Sequence, residues 1–285
     1  MMNKYKLKGH ETFCIREGWL SKGMEAVEKN PRVFLENSAA DELGVGANMA
    51  KAIRYWLKAT GLTKEKIGQG ASLTEFGRII YENDPYLEEI FTLWCLHINL
   101  VLNQELATSW YFFFTSFMQE EFKKTELEDF LVKELVNYTG KEEISIRSVR
   151  DDCSVLLQMY ARDHVEGNDP EDKKICPLSK LGILKKYGGV YKRIQPDLGK
   201  FSHEVFMYLL QSGWCETNAI NMESLYQDKI GAFRLLGLGA GAYQECLELC
   251  ARDGFIDINR TAGLDMIYKK KDMTKEQVVC SFFGV

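Results

Sequence analysis

The sequence predicts a mainly α protein with small β-wings, an α+β fold class, and three observations carry this prediction. The order helix, turn, helix and short hairpin occurs within residues 37–73. The same order returns within residues 231–270. Residues 91–117 are apolar and almost free of charge, as expected for helices buried on all sides. We therefore expect tandem winged helix-turn-helix units joined by an apolar helical segment.

In the first unit, glycine and capping residues mark where each element begins and ends. Asn48 is expected to cap the second helix of the helix-turn-helix, which extends to Thr60. Two short extended stretches joined at residues 68–70 form the predicted wing, and Thr74 begins the next helix. These signals define a compact unit with a small hairpin behind its second helix.

The chain divides into three predicted domains. Residues 1–120 form an N-terminal winged helix-turn-helix with packed apolar helices, residues 121–200 a middle helical or winged-helix-like unit, and residues 201–285 a C-terminal winged-helix-like unit. The third unit repeats the order of elements of the first, although the two are too different in sequence to count as a sequence repeat.

Composition restricts the function classes. The 285 residues are 46% hydrophobic and 27% charged, with a net charge of -5, so binding to nucleic acid through overall charge is excluded. Any contact with a polyanion must be local. Residues 91–102 are too short and too interrupted to cross a bilayer, and the N-terminus lacks the apolar core of a signal peptide. We expect a cytoplasmic protein with no membrane partner.

No catalytic or metal-binding motif is present in the sequence. The eight cysteines include no C-x-x-C pair, and most have apolar neighbours, so we interpret them as reduced structural thiols. The P-loop, G-x-S-x-G and H-E-x-x-H patterns are absent as well. We therefore expect no metal site and identify no cofactor from motifs.

A basic face on the predicted recognition helix carries the functional hypothesis. Lys51, Arg54 and Lys58, at positions i, i+3 and i+7, line one side, with Asn48 and Tyr55 at its edges. Apolar residues line the opposite side and seat the helix on its domain. The cations are then expected to face outward.

DNA binding requires such an arrangement. Lysine and arginine side chains reach the phosphates of a duplex, Arg54 is expected to pair with guanine, and Asn48 with adenine. Lys64 and Lys66 follow at the start of the wing and extend the basic surface. The alternative is an ordinary solvated helix face. The DNA hypothesis requires that these cations project free of the acids of the protein itself.

The other units are different in charge. The helix that corresponds to the recognition helix in the third unit carries Glu245, Glu248 and Asp253, which repel phosphate, so this unit is expected to bind protein or to pack. Residues 173–193 contain seven basic residues and no acid, and we expect them to extend the footprint on DNA.

Three segments resemble a bacterial family of formerly unknown function whose genes lie beside those for DNA phosphorothioation, in which sulfur replaces a non-bridging backbone oxygen. The resemblance covers most of the chain and is strongest over residues 9–97. The segments that carry it are GHETFCIREGWL, AADELGVGANMAKAIRYWLKATGL and LTEFGRIIYENDPYLEEIFTLWCLH.

The resemblance implies a DNA-binding subunit with winged-helix domains, closest to a component of the single-stranded phosphorothioation system. Its implied partners are double-stranded DNA and a cysteine desulfurase, an ATPase and a sulfur-transfer enzyme. A DNA nickase in the same pathway, which would need Mg²⁺ or Mn²⁺, is one alternative, and a winged-helix transcriptional regulator is another. A homodimer stays open.

Overall fold

The computed structural model describes residues 3–36, 38–141, 143–162, 175–213, 218–261 and 264–285. The chain divides into two compact units, Met1–Arg193 (unit 1) and Ile194–Val285 (unit 2). The sequence predicts three units. Residues 121–193 instead pack together with residues 1–120. The strand Glu121–Lys123 and the guanidinium of Arg193 join them, as described below.

In the described residues of unit 1, eight α-helices pack around an aromatic core, together with a hairpin and a small sheet. Its helices and strands are, in chain order, α1 (Trp19–Lys29), α2 (Ala39–Leu43), α3 (Ala47–Ala59), β1 (Thr63–Lys66), β2 (Gly70–Leu73), α4 (Glu75–Asn83), α5 (Ile90–Leu102), α6 (Thr108–Thr115), β3 (Glu121–Lys123), α7 (Lys124–Thr139), α8 (Ile146–Tyr160), β4 (Ala161–Arg162), β5 (Leu184–Tyr187) and β6 (Val190–Arg193). The fold class is thus mixed, with many helices and small sheets.

Within unit 1, α2, α3, β1 and β2 follow the predicted order of helix, turn, helix and hairpin. Gly44 ends α2 with left-handed backbone (φ 64°), which suits a residue without a Cβ. The helix α3 begins after Gly46, so the expectation that Asn48 caps it is wrong. Asn48 instead lies in the first turn. Strands β1 and β2 pair antiparallel, with Thr63 opposite Leu73, as predicted.

The apolar segment forms the centre of unit 1. Helices α5 and α6 are buried along almost their whole length. His97 is buried there, and its Nδ1 lies 2.8 Å from the Tyr160 hydroxyl, so it is a satisfied core residue as expected. Among the helices that the structure describes, none is long and apolar enough to span a bilayer.

The second sheet of unit 1 joins residues 121–193 to the aromatic core. Its strand order is β3-β6-β5-β4, with antiparallel pairs except for the parallel pair β4-β5. Arg193, at the end of β6, is partly buried, and its guanidinium donates to the carbonyls of Phe113 and Phe117 at 2.8 and 2.9 Å. This bonding binds the sheet to the C-terminal end of α6.

Two consecutive helices of unit 2 have the same lengths and the same glycine spacing as α2 and α3 of unit 1. In both, a five-residue helix ends at a left-handed glycine (Gly44, Gly237), and a second glycine (Gly46, Gly239) precedes a thirteen-residue helix. A three-stranded sheet of order β7-β9-β8 completes the unit. Its helices and strands are α9 (His203–Gly213), β7 (Ala219–Asn221), α10 (Met222–Gln227), α11 (Ala232–Leu236), α12 (Ala240–Arg252), β8 (Ile256–Thr261), β9 (Leu264–Lys269) and α13 (Lys275–Phe283).

Candidate nucleic-acid interface

The helix α3 has one fully buried side and one polar side. Ile53, Trp56 and Leu57 are fully buried, and the Trp56 indole donates to the carbonyl of Phe13 at 3.0 Å. Burial of this apolar side fixes the rotation of α3 about its axis, since each large side chain contributes about 1.5–3 kcal/mol. The polar side is thereby presented away from the core.

Two of the three predicted cations on α3 are paired with an acid of the wing. The Glu65 carboxylate accepts from Arg54 Nε at 2.6 Å and from Arg54 Nη2 at 3.0 Å, and Lys58 Nζ lies 2.9 Å from it. Arg54 Nη1 also donates to the carbonyl of Phe34 at 3.3 Å. The expectation that all three cations project free of the protein's own acids is therefore wrong for Arg54 and Lys58.

The pairing changes the pKa values of both partners. Burial raises the pKa of Glu65, but the hydrogen bonds from Arg54 and Lys58 outweigh it and lower that pKa below 4.5. The hydrogen bond from Glu65 raises the pKa of Arg54. Because two cations share one carboxylate, the cluster keeps one net positive charge, and it joins α3 firmly to β1.

The remaining predicted side chains on this surface are exposed. Lys51 lies in α3, and its Nζ is 3.4 Å from the Asn48 side-chain oxygen in the first turn. Lys64 and Lys66 both point outward from β1 and Glu65 points toward α3, because alternate residues of a strand face opposite sides. In the part of the chain that the structure describes, none of these three lysines has a carboxylate within 4.0 Å.

Tyr55 does not belong to the outward surface. Its side chain is buried, and its hydroxyl donates to the carbonyl of Leu106 at 2.8 Å. Burial, followed by the charge of Asp152, raises the pKa of Tyr55 well above its ordinary value. The position predicted for Tyr55 at the edge of the basic face is corrected: it anchors α3 to the loop before α6.

The cations of α3 line two clefts. One, of about 430 Å³, lies between α3, the residues before α2 and the wing, and its lining includes Arg54, Lys58, Glu65 and Ile67. The other, of about 340 Å³, lies between α3 and the N-terminal segment of the chain, residues 6–11. Lys6 lines this second cleft beside α3. Sequence reasoning missed Lys6, although the alternating pattern KYKLK at residues 4–8 is a signal of exposed lysines on an extended segment.

A buried polar network holds the N-terminal segment in place. The Asp152 carboxylate accepts from Lys8 N at 2.8 Å and from the Ser109 hydroxyl at 2.6 Å, and His10 Nε2 lies 2.9 Å from it. Thr12 N donates to His10 Nδ1, so the proton of a neutral ring is on Nε2. Serine, histidine and aspartate meet here, but the carboxylate lies in the middle and all three are buried. The network is therefore structural, and not a nucleophilic triad.

The basic segment 173–193 does not form the expected free footprint in the residues described. Lys173 and Lys174 lie outside the described residues. Lys192 Nζ pairs with Glu121 at 2.6 Å, and burial lowers the pKa of Arg193 to about 10. These two cations are used inside unit 1. Of the basic residues described in this segment, Lys180 and Lys185 are the exposed ones.

Unit 2 presents a different surface at the position equivalent to α3. The helix α12 exposes Glu245 and Glu248, and the latter pairs with Arg260 of β8 at 3.1 Å. Lys270 pairs with Asp257 at 3.1 Å. Acidic side chains and paired cations replace the lysines of unit 1. Across the described residues of both units, no group of three or more His, Cys, Asp or Glu side chains is placed to hold a metal ion.

The fold and this surface define a helical protein with small hairpins and one locally basic face. The chain belongs to the family described as "Protein of unknown function (DUF4007)", whose model matches residues 7–282. A comparison with curated proteins found no match.

Two solved structures are similar to the chain. A magnesium ion-bound crystal structure of SspB is 24% identical, with a TM-score of 0.85, and the match covers 98% of this chain and 88% of that one. A second crystal structure of SspB is 23% identical, with a TM-score of 0.83 and the same coverage. The resemblance inferred from the sequence is confirmed, and at these identities it establishes the fold.

Proposed function

We propose that the chain is the DNA-binding subunit of a bacterial DNA phosphorothioation system and presents duplex DNA to the modification enzymes. The SspB fold supports the pathway, and the exposed lysines of unit 1 support the DNA contact. The observation that carries the proposal is that Lys51, Lys64 and Lys66 lie on one helix and its following strand without a carboxylate partner among the described residues.

In this proposal, α2, α3 and the β1-β2 hairpin act as a winged helix-turn-helix, and unit 2 and residues 121–193 are related modules. The three lysines contact backbone phosphates, and Asn48, in the first turn of α3, is within the part of the helix that contacts base edges in this class. Arg54 and Lys58 hold α3 and the wing at a fixed angle through Glu65. Their direct pairing with bases is secondary to that role.

The charge of unit 2 supports a division of roles. Its exposed acids disfavour phosphate, so unit 2 is proposed to contact proteins of the modification complex, among which the resemblance implies a cysteine desulfurase, an ATPase and a sulfur-transfer enzyme.

Charge reversal tests the proposal. The variant Lys51→Glu, Lys64→Glu, Lys66→Glu is compared with Lys22→Glu, Lys29→Glu, Lys133→Glu, three lysines of unit 1 outside this surface. Fluorescence anisotropy with a labelled duplex measures the affinity at several salt concentrations. We expect the first variant to lose at least about 100-fold in affinity. The slope of log affinity against log salt concentration should become less steep by about three, because about three phosphate contacts are removed. Equal affinities of the two variants would refute the proposal.

The nickase alternative is tested separately. Supercoiled plasmid is incubated with the protein and Mg²⁺ or Mn²⁺, and open-circle product is measured. We assign no residues to a metal-dependent step, and this assay decides whether the chain nicks DNA. Nicking by this chain with either metal would add an activity to the binding role.

A further inference from the structure

The cleft between α3 and the N-terminal segment is lined by two separate parts of the chain. Lys51, Arg54 and Lys58 line it from α3, and Lys6 and Glu11 line it from the N-terminal segment. Four cations therefore surround about 340 Å³ with a single carboxylate among the lining residues. This excess of positive charge is the opposite of the net charge of the chain, which is -5.

The N-terminal segment is held against α3 by close packing and by an unusual backbone. Gly9 lies so near Tyr55 that a Cβ there would be 2.4 Å from the ring. Lys8, Glu11 and Thr12 all have positive φ, at 56°, 51° and 70°, a conformation that non-glycine residues adopt only when their surroundings impose it.

Hydrogen bonds from the backbone of Lys6 itself and of Lys8 complete this arrangement. Lys6 N donates to the Thr108 hydroxyl at 3.0 Å, and Lys8 N donates to buried Asp152 at 2.8 Å. The Lys6 ammonium lies 5.6 Å from the centre of the Tyr55 ring. The ammonium is therefore directed to one side of α3 by anchored backbone and by an aromatic face.

The four cations differ in their freedom to bind a ligand. Arg54 and Lys58 share Glu65, whereas Lys6 and Lys51 are exposed and have no carboxylate within 4.0 Å in the described part of the chain. A ligand in the cleft thus meets two free ammonium groups in front of a guanidinium that is already fixed. Amines and a guanidinium at one site are the groups that proteins use for phosphate.

We propose that this cleft binds a phosphodiester of the DNA backbone, with Lys6 and Lys51 as its two main contacts. The inference rests on the proposed function and extends it, because it assigns part of the DNA footprint to the N-terminal segment, outside the helix-turn-helix and its wing. A duplex that lies along α3 then has its backbone held on one side by the wing lysines and on the other by Lys6.

Two variants with opposite expected effects test the proposal in the full-length protein. Lys6→Met keeps the aliphatic stem over Tyr55 and removes the charge, and we expect the duplex affinity to fall roughly threefold to tenfold and the salt slope to flatten by about one. Glu11→Gln removes the carboxylate of the cleft and is expected to raise the affinity. Lys4→Met is the matched control, since Lys4 is two residues away, faces Glu105 and does not line the cleft.

Inorganic phosphate, titrated into the protein without DNA at constant ionic strength, distinguishes the source of the ligand. A DNA-backbone site predicts that Lys6→Met lowers the affinity for duplex. Phosphate binding that Lys6→Met abolishes, together with a duplex affinity that Lys6→Met leaves unchanged, would assign the cleft to free phosphate and overturn the proposal. Lys6→Met binding duplex like Lys4→Met would overturn it too, and loss of binding in the triple variant of Lys51, Lys64 and Lys66 would then leave the proposed function standing.

Discussion

Glu65 controls the charge of the candidate interface. It lies on the inner side of the wing and takes up one of the two charges that Arg54 and Lys58 supply. The pairing fixes the angle between α3 and β1, but it also weakens the attraction of this surface for phosphate. If this surface binds DNA as proposed, Glu65 increases stability and lowers DNA affinity.

The variant Glu65→Gln is expected to bind duplex more tightly, roughly threefold to tenfold, and with a steeper salt dependence, because Arg54 and Lys58 are released from a carboxylate. Anisotropy titration measures both quantities. Glu82→Gln is the control, since Glu82 is also ion-paired in unit 1 but does not line either cleft. Weaker binding of Glu65→Gln would contradict this account of the cluster.

The same residue predicts a pH dependence of stability. The pKa of Glu65 is lower in the folded protein than its ordinary value of 4.5, so the carboxylate stabilises the fold above that value. This contribution, about 1 kcal/mol for a partly exposed pair, is lost as the pH falls below 4.5 through the folded pKa. Denaturant unfolding of wild type and Glu65→Gln from neutral pH downward should show their free energies converging in acid. A constant difference would show that the charge of Glu65 is irrelevant.

Gly9 is expected to be the least replaceable residue of the N-terminal segment. Gly9→Ala places a Cβ against the buried Tyr55 ring, and either the ring or the segment must move. We expect a loss of about 1–3 kcal/mol in the free energy of unfolding. Gly189→Ala, where a Cβ meets nothing within 4 Å, serves as the comparison in the same denaturation experiment. Equal stabilities would mean that the segment does not depend on this close approach.

At the scale of elements, Arg193 holds β6 on α6. Its guanidinium donates to three carbonyls and lies 4.2 Å from the centre of the Phe113 ring. Removing it leaves buried acceptors unpaired, so Arg193→Met is expected to cost about 2–4 kcal/mol in thermal or denaturant unfolding. Lys192→Met, which breaks only an exposed pair with Glu121, should leave the free energy of unfolding almost unchanged. A small effect of Arg193→Met on the free energy of unfolding would contradict the role of Arg193 in holding β6 on α6.

Local signals predicted the elements of the helix-turn-helix well. Gly44 and the turn at residues 68–70 end or reverse the chain by their own backbone preferences, so their positions follow from the sequence. The start of α3 was misplaced because glycine also serves as an N-cap, and Gly46 takes that place two residues before Asn48.

The candidate site was less predictable, because it depends on how elements dock. Glu65 meets Arg54 and Lys58 only once the wing has folded back on α3, which no helical spacing reveals. Tyr55 is buried because the loop that ends at Leu106 covers that edge of the helix. Lys6 joins the same surface through a buried contact of its segment with Asp152, far away in sequence.

At the scale of the whole molecule, the charge is divided between the units. Unit 1 has a local cluster of free lysines, and unit 2 has acids at the equivalent helix. The two repeats thus share a backbone but differ in the ligand that their surfaces suit. For the proposed function, an acidic chain with a local basic face in its described part would bind DNA in one orientation and would not coat it through overall charge.

Deletion of the gene distinguishes a role in DNA modification from a role in transcriptional regulation. We expect deletion of its gene to abolish phosphorothioate in the DNA of its host, measured by mass spectrometry of nucleosides. Complementation with the triple charge-reversed variant of Lys51, Lys64 and Lys66 should fail to restore the sulfur. Altered transcription with intact DNA sulfur would instead support the regulator alternative.

Lysine footprinting tests the central claim most directly, because it reports which amines the duplex covers. The full-length protein is acetylated with and without saturating duplex, and the modified lysines are quantified by mass spectrometry. We predict protection of Lys51, Lys64 and Lys66 by duplex, while the exposed Lys29 and Lys133 react equally in both samples. Equal reactivity of Lys51, Lys64 and Lys66 in a protein that is demonstrably bound to duplex would contradict the account.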